Sequence, residues 1–299
     1  MSLRIACGLL LHSVLLLTPS SGQQPSEIPG PAVEQELKRF KQQALQSVTI
    51  SSGGLIDFSG YRSLSSSFVQ GSIGSGIPLG SFDNILAVTP GFRIDFIDAD
   101  PSLDVPEELY LFETQFFYRR TIRDRLSAMA IFSPSVRSDL TTGDDAFRVF
   151  GLGLLTWDYY PDLLSLSGGV VFLGRADLPA LPAVGLTWTP RRNLRLDLRF
   201  PESTLGYRLQ KDGARSETWV RMGMGIGGNT WAATRNSGQS DLLSLRDIRL
   251  TTSIEKLKDG GGGWFIQSGY AFNRRVEFET AASEISLGDA LLLEAGWRY

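Results

Sequence analysis

Histidine and cysteine are all but missing from this chain: its 299 residues include one of each, His12 and Cys7. Both fall in an N-terminal stretch that reads as a secretory signal peptide. Met1-Ser-Leu-Arg4 is followed by an apolar run from Ile5 to Leu17 and then by Thr-Pro-Ser-Ser-Gly-Gln. The run is too short to span a bilayer comfortably, and cleavage is expected near Gly22. Cys7 comes too early, after Arg4-Ile5-Ala6, to serve as a lipoprotein anchor. Without either residue type the mature chain can build no Ser-His-Asp triad, no Cys-His pair, no His-ligated zinc and no thiolate metal site. It can form no disulfide either. What remains is carboxylate, Lys, Tyr, Ser or Thr chemistry, or no chemistry; the expectation is no cofactor, no metal and no enzymatic activity. Positive charge is also in short supply: the net charge is −3, and removal of Arg4 with the leader leaves 28 basic against 32 acidic side chains, a net of −4. The basic footprint of a nucleic-acid binder is missing.

Long helical periods are scarce as well. Gln23 to Pro31 is polar and proline-containing and reads as a linker. After Pro31, the spacing of Val33, Leu37, Phe40, Ala44 and Leu45 predicts one short amphipathic helix, an N-terminal arm or plug over about 31–46. From about Gly60 onward the period is two. Leu194, Leu196, Leu198 and Phe200 alternate with Arg195, Asp197 and Arg199, so one face is apolar and the other ionic. Phe92, Ile94 and Phe96 alternate with Arg93 and Asp95, and Ile248, Leu250, Thr252 and Ile254 with Arg249, Thr251, Ser253 and Glu255. Comparable runs cover Val184 to Thr189, Leu205 to Gln210, Val220 to Ile226 and Trp264 to Phe272. Tyr110, Phe112, Phe116 and Tyr118 are less clean, because Leu111 and Phe117 join Glu113, Gln115 and Arg119 on the opposite face.

Turn signals separate the runs: Pro190-Arg-Arg-Asn193, Lys211-Asp-Gly213, Asp259-Gly-Gly-Gly-Gly263 and Asn273-Arg-Arg275. Short connections mean antiparallel hairpins, and a sheet of about a dozen strands must close or pack on a second sheet. A soluble, secreted β-sandwich that binds carbohydrate or a partner would bury the apolar face; a membrane barrel would turn it to lipid. Aromatics near strand ends favour the barrel: Tyr110, Phe116, Tyr118, Trp157, Tyr159, Tyr160, Trp188, Phe200, Trp264, Tyr270, Trp297 and Tyr299 suit an interfacial girdle. Glycines interleaved with charge on the other face suit a narrow lumen.

The expectation is an all-β fold, an antiparallel up-and-down transmembrane β-barrel of about 12 strands with a short N-terminal helix. Residues 1–22 form the signal peptide, 23–59 the linker and helix, and 60–299 the barrel. Arg93, Asp95, Glu113, Arg119, Arg195, Asp197, Arg199, Arg208, Arg221, Arg249, Glu255, Glu294 and Arg298 are expected to line the lumen and to pair across it. The alternation of Leu291, Leu293, Ala295, Trp297 and Tyr299 resembles the last strand of bacterial outer-membrane β-barrel proteins, with Gly296 displaced from the position of the fuller assembly signal, here Glu294. That resemblance implies that Trp297 and Tyr299 are read by the barrel assembly machinery, and that the surroundings are outer-membrane lipid. The segments Gly168–Arg175, Leu181–Trp188 and Leu196–Pro201 resemble an uncharacterised outer-membrane barrel family of planctomycete type, with no known activity. Expected uses are a narrow channel for passive diffusion of small solutes or a structural barrel, as a monomer.

Weaker motifs have plainer readings. Gly151-Leu-Gly153 and Gly223 to Gly228 resemble phosphate loops but open no helix and precede no Lys-Ser or Lys-Thr, so they read as strand glycines. Arg119, Arg120, Arg123 and Arg125 read as a solvated hairpin tip, and Glu277 with Glu279 as salt-bridge or loop residues rather than a glycosidase pair.

Overall fold

The computed structural model describes residues 35–37, 41, 43–60, 62–81, 84–172, 180–199, 202–281 and 284–299. The chain divides into Met1–Glu34 and Gln35–Tyr299, and every described strand belongs to the second unit. The expected signal peptide and most of the linker lie outside the described residues.

Alternation delivers strands almost throughout: β1 Leu45–Asp57, β2 Leu64–Ser81, β3 Asn84–Ala99, β4 Glu108–Arg123, β5 Leu126–Ser138, β6 Phe147–Tyr160, β7 Leu164–Phe172, β8 Ala180–Arg191, β9 Leu194–Arg199, β10 Glu202–Asp212, β11 Ser216–Thr234, β12 Ser240–Lys258, β13 Gly263–Phe278, the two-residue β14 Ile285–Ser286, and β15 Ala290–Arg298. Each strand from β1 to β13 pairs antiparallel with its sequence neighbour. β13 then pairs with β15, and β15 with β1, in register from Thr49↔Arg298 to Asp57↔Ala290. The sheet is therefore a closed, antiparallel, up-and-down barrel in which fourteen long strands form the ring. A closed ring has no second sheet to cover its outer face, so the β-sandwich alternative fails.

Three expectations need correction. The ring has fourteen strands rather than about twelve, and it begins at Leu45 rather than near residue 60. β1 and β2 escape a search for period two because serine and glycine dominate them, as in Ser51-Ser-Gly-Gly54 and Gly71-Ser-Ile-Gly74. Gly53 has a packing reason: a Cβ there would overlap the Leu293 carbonyl and press on the Phe68 ring at 2.9 Å. Second, the described residues of the expected helix, 35–37, 41 and 43–44, are not helical, and Leu45 opens β1. Leu45 serves the strand ladder, and Gln46 holds the preceding chain by hydrogen bonds to the Lys41 backbone at 2.9 and 3.0 Å. Third, Asn273-Arg-Arg275 is not a turn. It lies inside β13, where Asn273 takes a left-handed φ of 51° and the β12–β13 register slips between Arg246 and Ile248. This is a β-bulge, which bends the strand and increases its twist.

The two ends of the ring differ. Residues 124–125, 161–163, 192–193, 213–215 and 259–262 make short turns at one end; the described parts of the connections after β1 and β13, and the segments 100–107, 139–146 and 235–239, lie at the other. At this long-loop end a small apolar core sits inside the barrel. Leu64, Ile97, Leu103, Leu109, Trp231, Ala233, Leu243, Val276 and Phe278 are all buried together. Leu103 arrives on the 3-10 turn Pro101–Leu103, capped by Asp100, which accepts the Ser102 N–H at 2.9 Å.

Candidate functional site

The inner face of the ring is identified by a bond that only the interior permits. Arg137 on β5 donates Nη1–H to Asn229 Oδ1 on β11 at 2.8 Å, although five strands separate them along the shorter way round the wall. Direct ladder partners share a face, so the pairing Arg137↔Leu111↔Arg93↔Gln70↔Ser51↔Gly296↔Phe265↔Glu255↔Trp219↔Arg208 carries the inner face round the ring.

All thirteen ionic residues singled out in the sequence sit on this face, but they do not pair across the lumen. Arg93 donates Nε–H and Nη2–H to Asp95 at 2.8 and 2.6 Å, and reaches Gln70 Oε1 at 3.3 Å. Gln70 donates to Ser51 at 2.8 Å and Glu294 at 3.2 Å, which ties β3, β2, β1 and β15 together. Asp197 accepts from Arg195 Nε at 2.8 Å and Thr187 Oγ1 at 2.6 Å, with Arg199 at 3.2 Å. Arg249 grips Asp247 at 2.6 and 2.9 Å. Arg208 and Lys211 share Glu217 at 3.0 and 2.6 Å, and Arg221 binds Glu255. Glu113 lies opposite Ser135, while Arg119 and Arg298 stand exposed near the short-turn end. These pairs are local because residues two apart on one strand lie about 6.6 Å apart on one face, within the reach of an arginine; across the lumen it is Arg137 that reaches the opposite wall, at Asn229.

The sequence reading missed Asp247, Glu217, Gln70, Arg137, Arg148 and Asn229. The pattern Arg-x-Asp, present as Arg93-Ile-Asp95 and Arg195-Leu-Asp197 and reversed as Asp247-Ile-Arg249, would have found Asp247. Asn229 had no such signal, because its partner is 92 residues away.

The outer face is apolar and uncovered. Val184 is 73% exposed, Ile226 61% and Ile266 57%. Around the short-turn end this face carries Trp157, Tyr159, Trp188, Trp264, Trp297 and Tyr299, with Trp157–Tyr159 centroids 5.2 Å apart. Towards the long loops it carries Phe58, Phe92, Phe96, Phe112 and Tyr270. Phe200 lies outside the described residues.

The long-loop mouth is lidded. β11 and β12 are 19 residues each, the longest strands. Ala232 near the end of β11 pairs in parallel with Ser138 at the end of β5, across the ring. Asp139 N–H donates to Ala232 O at 3.1 Å, Thr234 N–H to Asp139 Oδ2 at 2.6 Å, and the Thr141 and Thr234 hydroxyls meet at 2.6 Å. A second tie joins loops 100–107 and 235–239: Asp104 accepts Arg235 Nε–H and Asn236 N–H, each at 2.8 Å. Burial pushes the Asp139 carboxyl up, but the Thr141 hydroxyl and the Thr234, Thr141 and Thr142 N–H groups outweigh it, so its pKa lies below the ordinary 3.8. Asp104 is likewise raised by burial and lowered more strongly by Asn236 and Arg235.

The bulge in β13 turns Arg274 towards the long-loop end of β1 and β2. Its guanidinium pairs with Asp57 at 2.8 Å and donates to the Leu64 and Gly288 carbonyls at 2.5 and 2.9 Å, with the two side chains 3% and 0% exposed. Asp57 also accepts the Ser59 and Leu64 N–H groups at 2.8 and 3.1 Å. Two cavities lie beneath, of about 350 Å³ beside Gln70, Arg93, Glu113, Arg137 and Asn229, and about 260 Å³ beside Asp95, Trp231, Asp247 and Arg274. Among the described residues no group of His, Cys, Asp and Glu could hold a metal.

No family model matches this chain, and no curated protein matches it. Among solved structures it is similar to the translocator domain of the autotransporter NalP from Neisseria meningitidis, at 13% identity, covering 87% of this chain and 89% of that one, with a TM-score of 0.39.

Proposed function

We propose that this chain is an outer-membrane β-barrel whose lumen is lidded at its long-loop end, a structural or ligand-holding barrel rather than a standing pore. The uncovered apolar exterior between two aromatic belts supports the membrane setting: water would leave that surface unsolvated, while lipid solvates it. Short turns on one end and long loops on the other support an orientation with the turns on the periplasmic side. Leader removal at about residue 22, reading of Trp297 and Tyr299 by the assembly machinery, membership of the planctomycete-type family and a monomeric state belong to the same proposal. The proposed role is not enzymatic.

The observation that carries the choice against free diffusion is the clasp between β5 and β11. A ring of fourteen strands lies between the eight-stranded barrels that side chains alone fill and the sixteen-stranded porins that leave an aqueous channel. This one closes its long-loop mouth with its own strand ends, at Ala232–Ser138 and Thr234–Asp139. The deciding experiment is planar-bilayer recording of the full chain after refolding, with heat-modifiable gel migration as evidence of a folded barrel. The wild type is expected to show no regular unit conductance. Regular steps from the folded wild type would return the reading to a narrow diffusion channel, and recovery of the chain as a soluble periplasmic protein would end the membrane assignment.

A further inference from the structure

Most ion pairs of the inner wall lie between β9 and β3, whereas a strip of apolar side chains crosses it from β4 to β7. Direct ladder pairing places Phe117 opposite Ile131, Ile131 opposite Leu152, and Leu152 opposite Val171, all on the face that carries Arg137. Leu154, two positions along from Leu152, is also buried. Along this strip the wall is apolar on both faces, and the polar pairs Thr156–Ser167 and Ser165–Asp158 follow it towards the short turns. An aqueous passage gains nothing from such a wall, whereas an apolar ligand does.

At the long-loop end of this strip stand two arginines unlike the ion-paired ones of the inner wall. Arg93, Arg195, Arg208, Arg221 and Arg249 each have a carboxylate partner. Arg137 bonds neutral Asn229, and its Nε is buried with no hydrogen-bond partner; Arg148 has its Nη2 buried in the same condition. Arg148 sits directly opposite Ser135, two residues from Arg137 on β5, so the two cations are diagonal neighbours on one face. Glu113, also opposite Ser135, is the acidic side chain on this patch, which leaves one positive charge in excess. A buried guanidinium N–H without an acceptor costs stability that a bound anion would recover. A cavity of about 350 Å³ opens beside Arg137, towards Gln70, Arg93, Leu111, Glu113 and Asn229; it is within the size range of small-ligand sites and ends short of Arg148 and the strip.

We infer that the lumen binds a long-chain amphiphile with a singly charged anionic head, the head on Arg137 and Arg148 and the chain along Phe117, Ile131, Leu152 and Val171. This rests on the reading of the interior as a lidded chamber. The test is native mass spectrometry of the refolded full chain released from nonionic detergent, with dodecanoate, dodecanol and acetate as probes. One dodecanoate per barrel is expected, and neither dodecanol nor acetate should be retained. Arg137→Gln combined with Arg148→Gln should weaken retention about tenfold or more, as loss of charge-assisted bonds requires. Leu152→Asp should do the same through the chain, and Met222→Ala on the outer face should change nothing. Equal retention of dodecanol, undiminished binding in the arginine variant, or no adduct from a heat-modifiable wild type each overturns the inference. The wild-type probes decide it even where a variant does not fold. Unit conductance with the adduct intact would remove the lid reading and leave the site standing.

Discussion

Replacing Arg274 with alanine tests how the long-loop end of β1, β2 and β13 is held together. The Arg274–Asp57 pair is 2.8 Å long, with its side chains 3% and 0% exposed, and the guanidinium also serves two backbone carbonyls. Removing one partner of a buried pair costs about 3–5 kcal/mol, because the remaining charge stays desolvated. Asp57 keeps its bonds from Ser59 and Leu64, which places the expected loss near the lower end, about 3 kcal/mol. With a urea slope of about 3 kcal/mol per M, the unfolding midpoint of the vesicle-refolded barrel should fall by about 1 M. Adding Asp57→Asn to Arg274→Ala removes the stranded charge and should recover part of the loss, so the cycle should show coupling of about 1 kcal/mol or more. A single-variant loss below about 1 kcal/mol, or strictly additive effects, would refute the view that this bulge-borne arginine holds β13 to β1 and β2.

Asp139→Ala removes the acceptor for the Thr234 and Thr141 N–H groups; unit conductance absent from the wild type should appear in bilayer recordings, at a stability cost of about 1–3 kcal/mol. Acid should loosen the same lid. Asp104 and Asp139 have folded pKa values below the ordinary 3.8, so their contribution is complete above that value and is lost as pH falls through the depressed folded values. Amide exchange at residues 231–243 should therefore be as protected at pH 5 as at pH 7, after correction for intrinsic rates, and lose protection below about pH 3.8. Gly53→Leu should prevent closure of β1 on β15, since the added side chain meets the Leu293 backbone; absence of a heat-modifiable band is the readout, and normal folding would contradict the packing there.

Much of the architecture is legible in the sequence because a strand exposes its periodicity directly. Arg195-Leu-Asp-Leu-Arg199 and Arg93-Ile-Asp95 announce an apolar and an ionic side, and the structure orients both as opposite faces of one wall. Leu111 and Phe117, which spoil the alternation in β4, mark the apolar inner sector. Where the signal fails, the cause is physical. Serine and glycine in β1 and β2 carry little hydropathic contrast, so their strands leave no period to read. The left-handed bulge at Asn273 uses the same residue type that makes turns, and local sequence does not separate the two.

Residue order alone determined the strand class and its two faces, and the near-absence of histidine and cysteine leaves imidazole and thiolate chemistry without its residue types. Closure of the ring, its fourteen strands and the lid were decided only by tertiary structure. Each depends on contacts between distant segments: β1 with β15, Asn229 with Arg137, Asp57 with Arg274. Hydropathic period reports which way a side chain points relative to its own strand. It carries no information about which strand stands opposite, and that is what separates an open lumen from a closed one.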